Sequence, residues 1–370
     1  VFVHELGHFL TAKKLGVKPE EFGFGFPPRL VGFYKNRLGH KKIVWGSKEV
    51  DDSAGTIYSL NWIPLGGFVK IKGENGDNND DDSFINKPVW KRTIILSSGV
   101  LMNIILAMVL LSIGFMIGLP QSVDSSNNND KISNKQIQII QIINESPANK
   151  ANLKVGDIIS SVGNIKFNNY SELQSYVDKN KGKELEYKIK RGNEEVTKII
   201  VPELIKDTGK GGIGVAISEI GIVKYSFFKA VWEGIKATIF LTWAILVAFY
   251  ELFMNIFSGK GVGADVAGPV GIAVITGQVA RLGIIYLLQF TALLSINLAI
   301  VNFIPFPALD GGRVLFLIIE KIKGKPVRRE VEAIMHNIGF ILLLLLVVII
   351  TFKDVLKYVN FKMIFSRFIG

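Results

Sequence analysis

The chain has 370 residues, 49% hydrophobic and 20% charged, with 25 Phe and a mean hydropathy of +0.34. A soluble protein seldom combines those values, whereas apolar spans joined by polar loops and a soluble insert do. The absence of cysteine excludes disulfides, thiolate metal ligands and cysteine nucleophiles. The formal charge of +11 does not indicate nucleic acid, because Lys and Arg are spread through loops rather than gathered on one face with aromatics.

The chain opens with His4-Glu5-Leu6-Gly7-His8 inside the apolar run Val1-Phe2-Val3 and Phe9-Leu10. There is no initiator Met, and three apolar residues before His4 are too few to cross a bilayer. Residues 1–15 therefore read as the later part of a first transmembrane helix. The following segment, 16–92, is polar, and 11–92 carries 14 Lys and Arg. Within it, 30–34, 42–45 and 57–60 read as short strands. Pro64-Leu65-Gly66-Gly67, ahead of Phe68-Val69-Lys70-Ile71, reads as a hairpin turn. Residues 73–83, rich in Asn and Asp, form a loop.

Residues 93–119 have the length and apolarity of a transmembrane helix. The Ser/Asn/Asp-rich stretch 120–135 is a linker. From 136 to 205 the pattern becomes that of a small α+β module. It has a strand over 136–143 and a helix capped by Ser146 with Pro147 at its first position. A strand over 158–162 follows, then a helix opened by Ser171-Glu172-Leu173-Gln174 and alternating Leu185, Tyr187 and Ile189. Residues 226–258 are apolar but broken by Lys229, Glu233, Lys236 and Glu251, which suits an interfacial or re-entrant helix. A Gly-rich loop over 259–271 ends in Gly268-Pro269-Val270-Gly271. A long apolar segment, 282–319, is interrupted by Pro305, Pro307 and Asp310-Gly311-Gly312. Five basic residues then fall within 321–329, ahead of a last transmembrane helix over 337–352.

Two His at i and i+4 on a helix point the same way and can hold one Zn²⁺, with the intervening Glu placed to take a proton from a bound water. Ionisable groups in an apolar span are usually functional. A catalytic zinc takes three protein ligands and keeps an open position. His40 lies in a polar loop, His336 borders the last span, and no Cys exists. The outstanding third candidate is Asp310, which reads either as a ligand or as part of a Pro-x-Leu-Asp-Gly-Gly turn. Irregular backbone in an apolar run is tolerated where it lines a protein cavity. Asn297 and Asn302 on the same segment are either interhelical hydrogen-bonders or holders of an extended substrate backbone. A membrane scaffold with a lost or structural metal is one rival reading. A metal transporter is another, although no inverted repeat is evident.

Several motifs together resemble the site-two proteases, in the bacterial form with an inserted PDZ domain. They are Phe2-Val3-His4-Glu5-Leu6-Gly7-His8, Phe22-Gly23-Phe24-Gly25, Ile63-Pro64-Leu65-Gly66-Gly67-Phe68-Val69-Lys70, Gly268-Pro269-Val270-Gly271, and Asn302 through Gly312. The likeness covers nearly the whole chain. It implies a polytopic α-helical membrane protein with a small cytoplasmic-side β-sheet and hairpin, and an extracytoplasmic PDZ-like domain. It further implies an intramembrane zinc metalloprotease with His4, His8 and Asp310 as ligands and Glu5 as general base. Gly66 and Gly67 would lie in a membrane-re-entrant loop pairing with unwound substrate, and Asn297 and Asn302 near the substrate backbone. Gly211-Gly212-Ile213-Gly214 is the best candidate for a peptide-carboxylate loop. The implied substrate is a single-pass transmembrane protein already cleaved by another protease, such as an anti-sigma factor or a signal-peptide remnant. The implied location is the bacterial inner membrane, with the bilayer as partner.

Overall fold

The computed structural model describes residues 1–50, 53–74, 80–122, 132–143, 145–167, 169–192, 194–205, 209–259 and 267–358. Parts of the expected 73–83 loop, 120–135 linker and 259–271 loop lie outside the described residues. The chain divides into two compact units, one of residues 1–109, 236–273 and 291–370, the other of 110–235 and 274–290.

In chain order, α1 (Phe2–Lys14) leads to β1 (Pro19–Lys35), β2 (Lys41–Trp45), β3 (Ile57–Ile71), a 3₁₀ turn (Phe84–Asn86) and α2 (Val89–Ile117). The three strands form one sheet in the order β2-β1-β3. The structure does not form the expected hairpin. Residues on either side of Gly66-Gly67 do not pair with each other, because the first half of β1 lies between them. Phe22 is registered with both Val69 and Tyr58, Gly23 with both Phe68 and Ser59, and Phe24 with both Gly67 and Leu60. β1 then turns and its second half pairs again with 58–60 of β3 and with β2. Among the described residues, 67–71 therefore form a sheet edge.

The α+β module comprises β4 (Leu119–Ser122), β5 (Ile132–Ile142), α3 (Pro147–Lys150), β6 (Ile158–Val162), α4 (Tyr170–Lys179), β7 (Leu185–Arg191), β8 (Glu194–Ile200), β9 (Glu203–Ile205), β10 (Lys210–Gly212) and β11 (Val215–Val223). Its main sheet runs β4-β11-β5-β6-β7-β8. The 136–205 boundary is too short, since β11 pairs with β5 from Val215 to Val223 and sits inside the sheet. Alternation sends Leu185, Tyr187 and Ile189 into a core with Ile139, Val162 and Leu173, as period-two burial requires. Ser146 caps α3 by accepting the Asn149 N–H. The cap of α4 is Asn169 rather than Ser171. Its side chain accepts the Glu172 N–H while Glu172 accepts from its amide, closing a reciprocal box two residues earlier than expected. Gly211 donates its N–H to the Asp178 carboxylate and Ile213 accepts from Ala148, so this Gly-rich stretch already serves internal bonds.

Five helices follow among the described residues: α5 (Phe227–Phe257), α6 (Pro269–Leu282), α7 (Ile284–Phe303), α8 (Asp310–Lys323) and α9 (Arg329–Tyr358). By length and composition α2, α5, α7 and α9 can each cross a membrane. α5 is one unbroken helix of 31 residues. Gly268-Pro269-Val270-Gly271 begins α6, and the buried carboxylate of Asp354 on α9 accepts the Gly271 N–H at 2.6 Å. A carboxylate there satisfies an orphan donor of the first turn and complements the helix dipole.

Candidate metal centre

α1 brings His4 and His8 to one face because one turn separates them. Both are buried, at 4% and 5% exposure. Opposite them, α7 ends at Phe303, and α8 begins at Asp310 after a turn containing Pro305 and Pro307. Gly311 and Gly312 allow the first turn of α8 to fold back on the chain. A side chain at either would overlap the carbonyls of Phe303 and Phe306 respectively. Asp310 thereby reaches the imidazoles from 306 residues away in sequence.

The three donor atoms form a small triangle. His4 Nε2 lies 2.9 Å from Asp310 Oδ2, His8 Nε2 lies 3.3 Å from the same oxygen, and the two Nε2 atoms are 3.2 Å apart. Ligands about 2.1 Å from a tetrahedral zinc are separated by roughly 3.4 Å, so this triangle fits three corners of a zinc tetrahedron. Two imidazoles and a carboxylate are also a usual donor set for that ion. The Asp310 side chain is 24% exposed, which leaves the carboxylate side of the triangle as its accessible face.

Both rings are oriented from behind. His8 Nδ1–H donates to the Ile95 carbonyl of α2 at 2.8 Å, leaving the Nε2 lone pair facing the triangle. The side-chain amide of Asn103 lies 3.3 Å from His4 Nδ1. The contacting atom is Nδ2; with Nε2 as the ligating atom the ring proton sits on Nδ1, and the amide turned about its last bond would present its oxygen to accept it. Ser295 Oγ donates to the Asn103 carbonyl at 2.8 Å, joining α7 to the same turn of α2. α1 and α2 approach closely at two glycines. A side chain on Gly7 would overlap the Ser98 carbonyl, and one on Gly99 would overlap the His8 ring, the small-residue packing found between helices in membranes.

The sequence-predicted residues are not all assembled equally. The Asn302 side-chain nitrogen lies 3.2 Å from His4 Nε2, at the edge of the triangle. Asn297 donates to the Leu293 carbonyl of its own helix. Gly67 lies against Phe2 and the Glu5 side chain, and Gly66 against Val1, so the end of β3 runs past the helix that carries the His pair. Glu5 is partly buried beside it. Asn103, Ile95 and Gly99 were missed by sequence reasoning, because an apolar span with one Asn and a Gly carries no local signal of what it faces.

Comparison with known proteins matches nearly the whole chain. The profile of Peptidase family M50 matches residues 1–47 and 36–346. The chain is 31% identical to the regulator of sigma-W protease RasP of Bacillus subtilis, covering 96% of this chain and 95% of that one. It is 29% identical to the zinc metalloprotease RasP of Geobacillus kaustophilus, over 97% and 95% of the two chains. Among solved structures, 24% of the chain aligns with 92% of the PDZ domain of an SdrC-like protein from Listeria monocytogenes, at 23% identity and a TM-score of 0.22.

Proposed function

The chain belongs to peptidase family M50, and from that premise we propose that it is a zinc metalloprotease whose metal is held by His4, His8 and Asp310 and whose general base is Glu5. The observation that carries the assignment is the triangle of His4 Nε2, His8 Nε2 and Asp310 Oδ2, with sides of 2.9 to 3.3 Å. Bound zinc supplies Lewis acidity toward a water and a peptide carbonyl. Glu5 takes the proton of the attacking water at its carboxylate and returns it to the leaving amine. Asn302, at the edge of the triangle, donates its amide N–H to a substrate carbonyl.

The substrate is a transmembrane segment of a single-pass protein, in regulated intramembrane proteolysis. Such a helix hides its carbonyls in i→i+4 bonds and must unwind before cleavage. Pairing with the edge at 67–71, reached through Gly66 and Gly67, offsets part of that loss. Likeness to a regulator of sigma-W favours an anti-sigma factor over a signal-peptide remnant, with prior trimming by another protease. The PDZ-like module acts as the filter that admits only the trimmed form.

The location we infer is the bacterial inner membrane, with the basic segments 11–92 and 321–329 cytoplasmic. The ion pair of Arg92 with Glu320 supports a common side for the start of α2 and the end of α8. The Asp354–Gly271 bond supports placing the start of α6 by the far end of α9, hence outside. The end of α2 and the start of α6 then share the outer side, and a single crossing by α5 would break that parity. α5 accordingly lies at the outer interface, as a helix with Trp232, Trp243 and Tyr250 exposed would.

The test is zinc content and cleavage of a reconstituted single-pass substrate by the full chain, with His4→Ala, Asp310→Ala and Glu5→Gln. One zinc per chain is expected, lost in the first two and kept in Glu5→Gln, whose cleavage rate falls by about 10²–10⁴. Zinc retained in Asp310→Ala would overturn the ligand set. Full cleavage by Glu5→Gln would overturn the mechanism.

A further inference from the structure

Asp310 is reached through an unusual turn. Phe306 to Leu309 closes with the Leu309 N–H donating to the Phe306 carbonyl at 3.2 Å. Pro307 occupies the first central position, and Ala308 the second with φ +75°. Proline followed by a left-handed residue is the signature of a type II turn, whose second central position ordinarily takes glycine. Alanine is strained there, and a flip of the Pro307–Ala308 peptide to type I would relieve it. The flip would also re-aim the backbone just two residues before Asp310.

Both ends of that peptide are held by α9. The Ala308 N–H donates to His336 Nδ1 at 2.9 Å. One helical turn on, Gly339 faces the Pro307 carbonyl so closely that any side chain would overlap it. An imidazole accepting at Nδ1 carries its proton on Nε2, and among the described residues the buried Nε2 has no protein partner. Among the described residues, the one hydrogen bond of the His336 side chain is thus to the strained turn. The Phe316 ring of α8 flanks the imidazole, with centroids 5.8 Å apart.

We infer that His336 and Gly339 are positioning residues for the metal centre: together they select the type II orientation of the Pro307–Ala308 peptide that presents Asp310 to His4 and His8. The inference rests on the reading of Asp310 as a zinc ligand. It makes the last span part of the ligand scaffold without touching the ligands. It also accounts for an alanine where a glycine would be strain-free: the bond that Ala308 donates to His336 offsets what the side chain opposes.

The experiment is zinc affinity of the full chain in detergent, measured by competition with a chromophoric chelator. Asn places its amide oxygen near the Nδ1 position and Gln near the Nε2 position. His336→Gln is therefore expected to weaken zinc binding about 10–100-fold, as loss of an outer partner does, and His336→Asn to stay within about threefold of the parent. Adding Ala308→Gly to His336→Gln removes the strain and is expected to restore most of the affinity. Unchanged affinity in His336→Gln would overturn the inference. So would equal losses in Asn and Gln with no recovery from Ala308→Gly, since that is the pattern of a packing role. If His336→Gln does not fold, Gly339→Ala carries the test from the carbonyl end, and unchanged zinc affinity there overturns the inference equally. Asp310→Ala is run alongside. Zinc retained by Asp310→Ala would bring down the ligand assignment and this inference with it. Zinc lost there but unaffected in His336→Gln would bring down this inference alone.

Discussion

Gly99 on α2 stands directly against His8 on α1, so close that a single methyl group at position 99 would overlap the imidazole Nε2. The same methyl would come within 2.7 Å of His4 Cε1. The metal-facing edges of both rings are therefore set by the absence of a side chain on a neighbouring helix.

Gly99→Ala is expected to abolish stoichiometric zinc binding by forcing both rings off the triangle. Overpacking should also lower stability by about 1–3 kcal/mol. Zinc per chain and thermal unfolding in detergent check both parts. A variant that keeps one zinc and the parental melting temperature would mean the helices separate at little cost.

Asn103→Leu removes the partner of His4 Nδ1 while keeping the number and branching of the side-chain heavy atoms. Zinc affinity is expected to fall about 10–100-fold. Ser295→Ala serves as the control, because Ser295 bonds the Asn103 backbone carbonyl rather than its amide, and its effect should be several-fold smaller. Chelator competition on the two variants separates ring orientation from helix packing, and equal losses would contradict the orienting role.

The module carries a pH dependence of its own. Burial pushes the Tyr187 hydroxyl well above the ordinary tyrosine range, and among the described residues that hydroxyl has no protein partner. An acid whose pKa is raised by folding is protonated in both states below the unfolded value of about 10, so nothing is lost there. Above it the unfolded chain ionises first, and stability falls as pH rises. Tyr187→Phe is expected to flatten that alkaline loss while changing stability near neutrality by less than about 1 kcal/mol. Unfolding midpoints of parent and variant between neutrality and strongly alkaline pH check this. An unchanged alkaline slope would place the dependence elsewhere.

Much of the candidate site was legible because its chemistry is local. His4 and His8 are one turn apart, so their convergence follows from the helix period alone. Asp310 announced itself as a carboxylate in an interrupted apolar run. Ser146 with Pro147 foretold α3 because a cap is a property of adjacent residues. Where the reading erred, a distant strand or side chain intervened. The hairpin at Gly66-Gly67 has the right turn chemistry, yet 21–24 of β1 lies between its arms. β11 was missed because it is completed by β5, some 80 residues earlier in the chain. The α4 cap moved to Asn169 because two polar candidates two residues apart, Asn169 and Ser171, compete and only the helix start decides between them.

The sequence by itself determined the shared face of His4 and His8 on α1, the apolar helices among the described residues, the α+β module and the resemblance to the site-two proteases. These depend on periodicity, composition and short motifs, which involve neighbours in the chain. The tertiary structure alone decided that Gly99 and Asn103 set the two imidazoles and that His336 and Gly339 hold the turn before Asp310. It also decided that Asp354 caps α6. Each of these is a contact between residues tens or hundreds apart, made where two helices pack. A lone Gly, Asn or His in an apolar span has the same local signature whatever it faces.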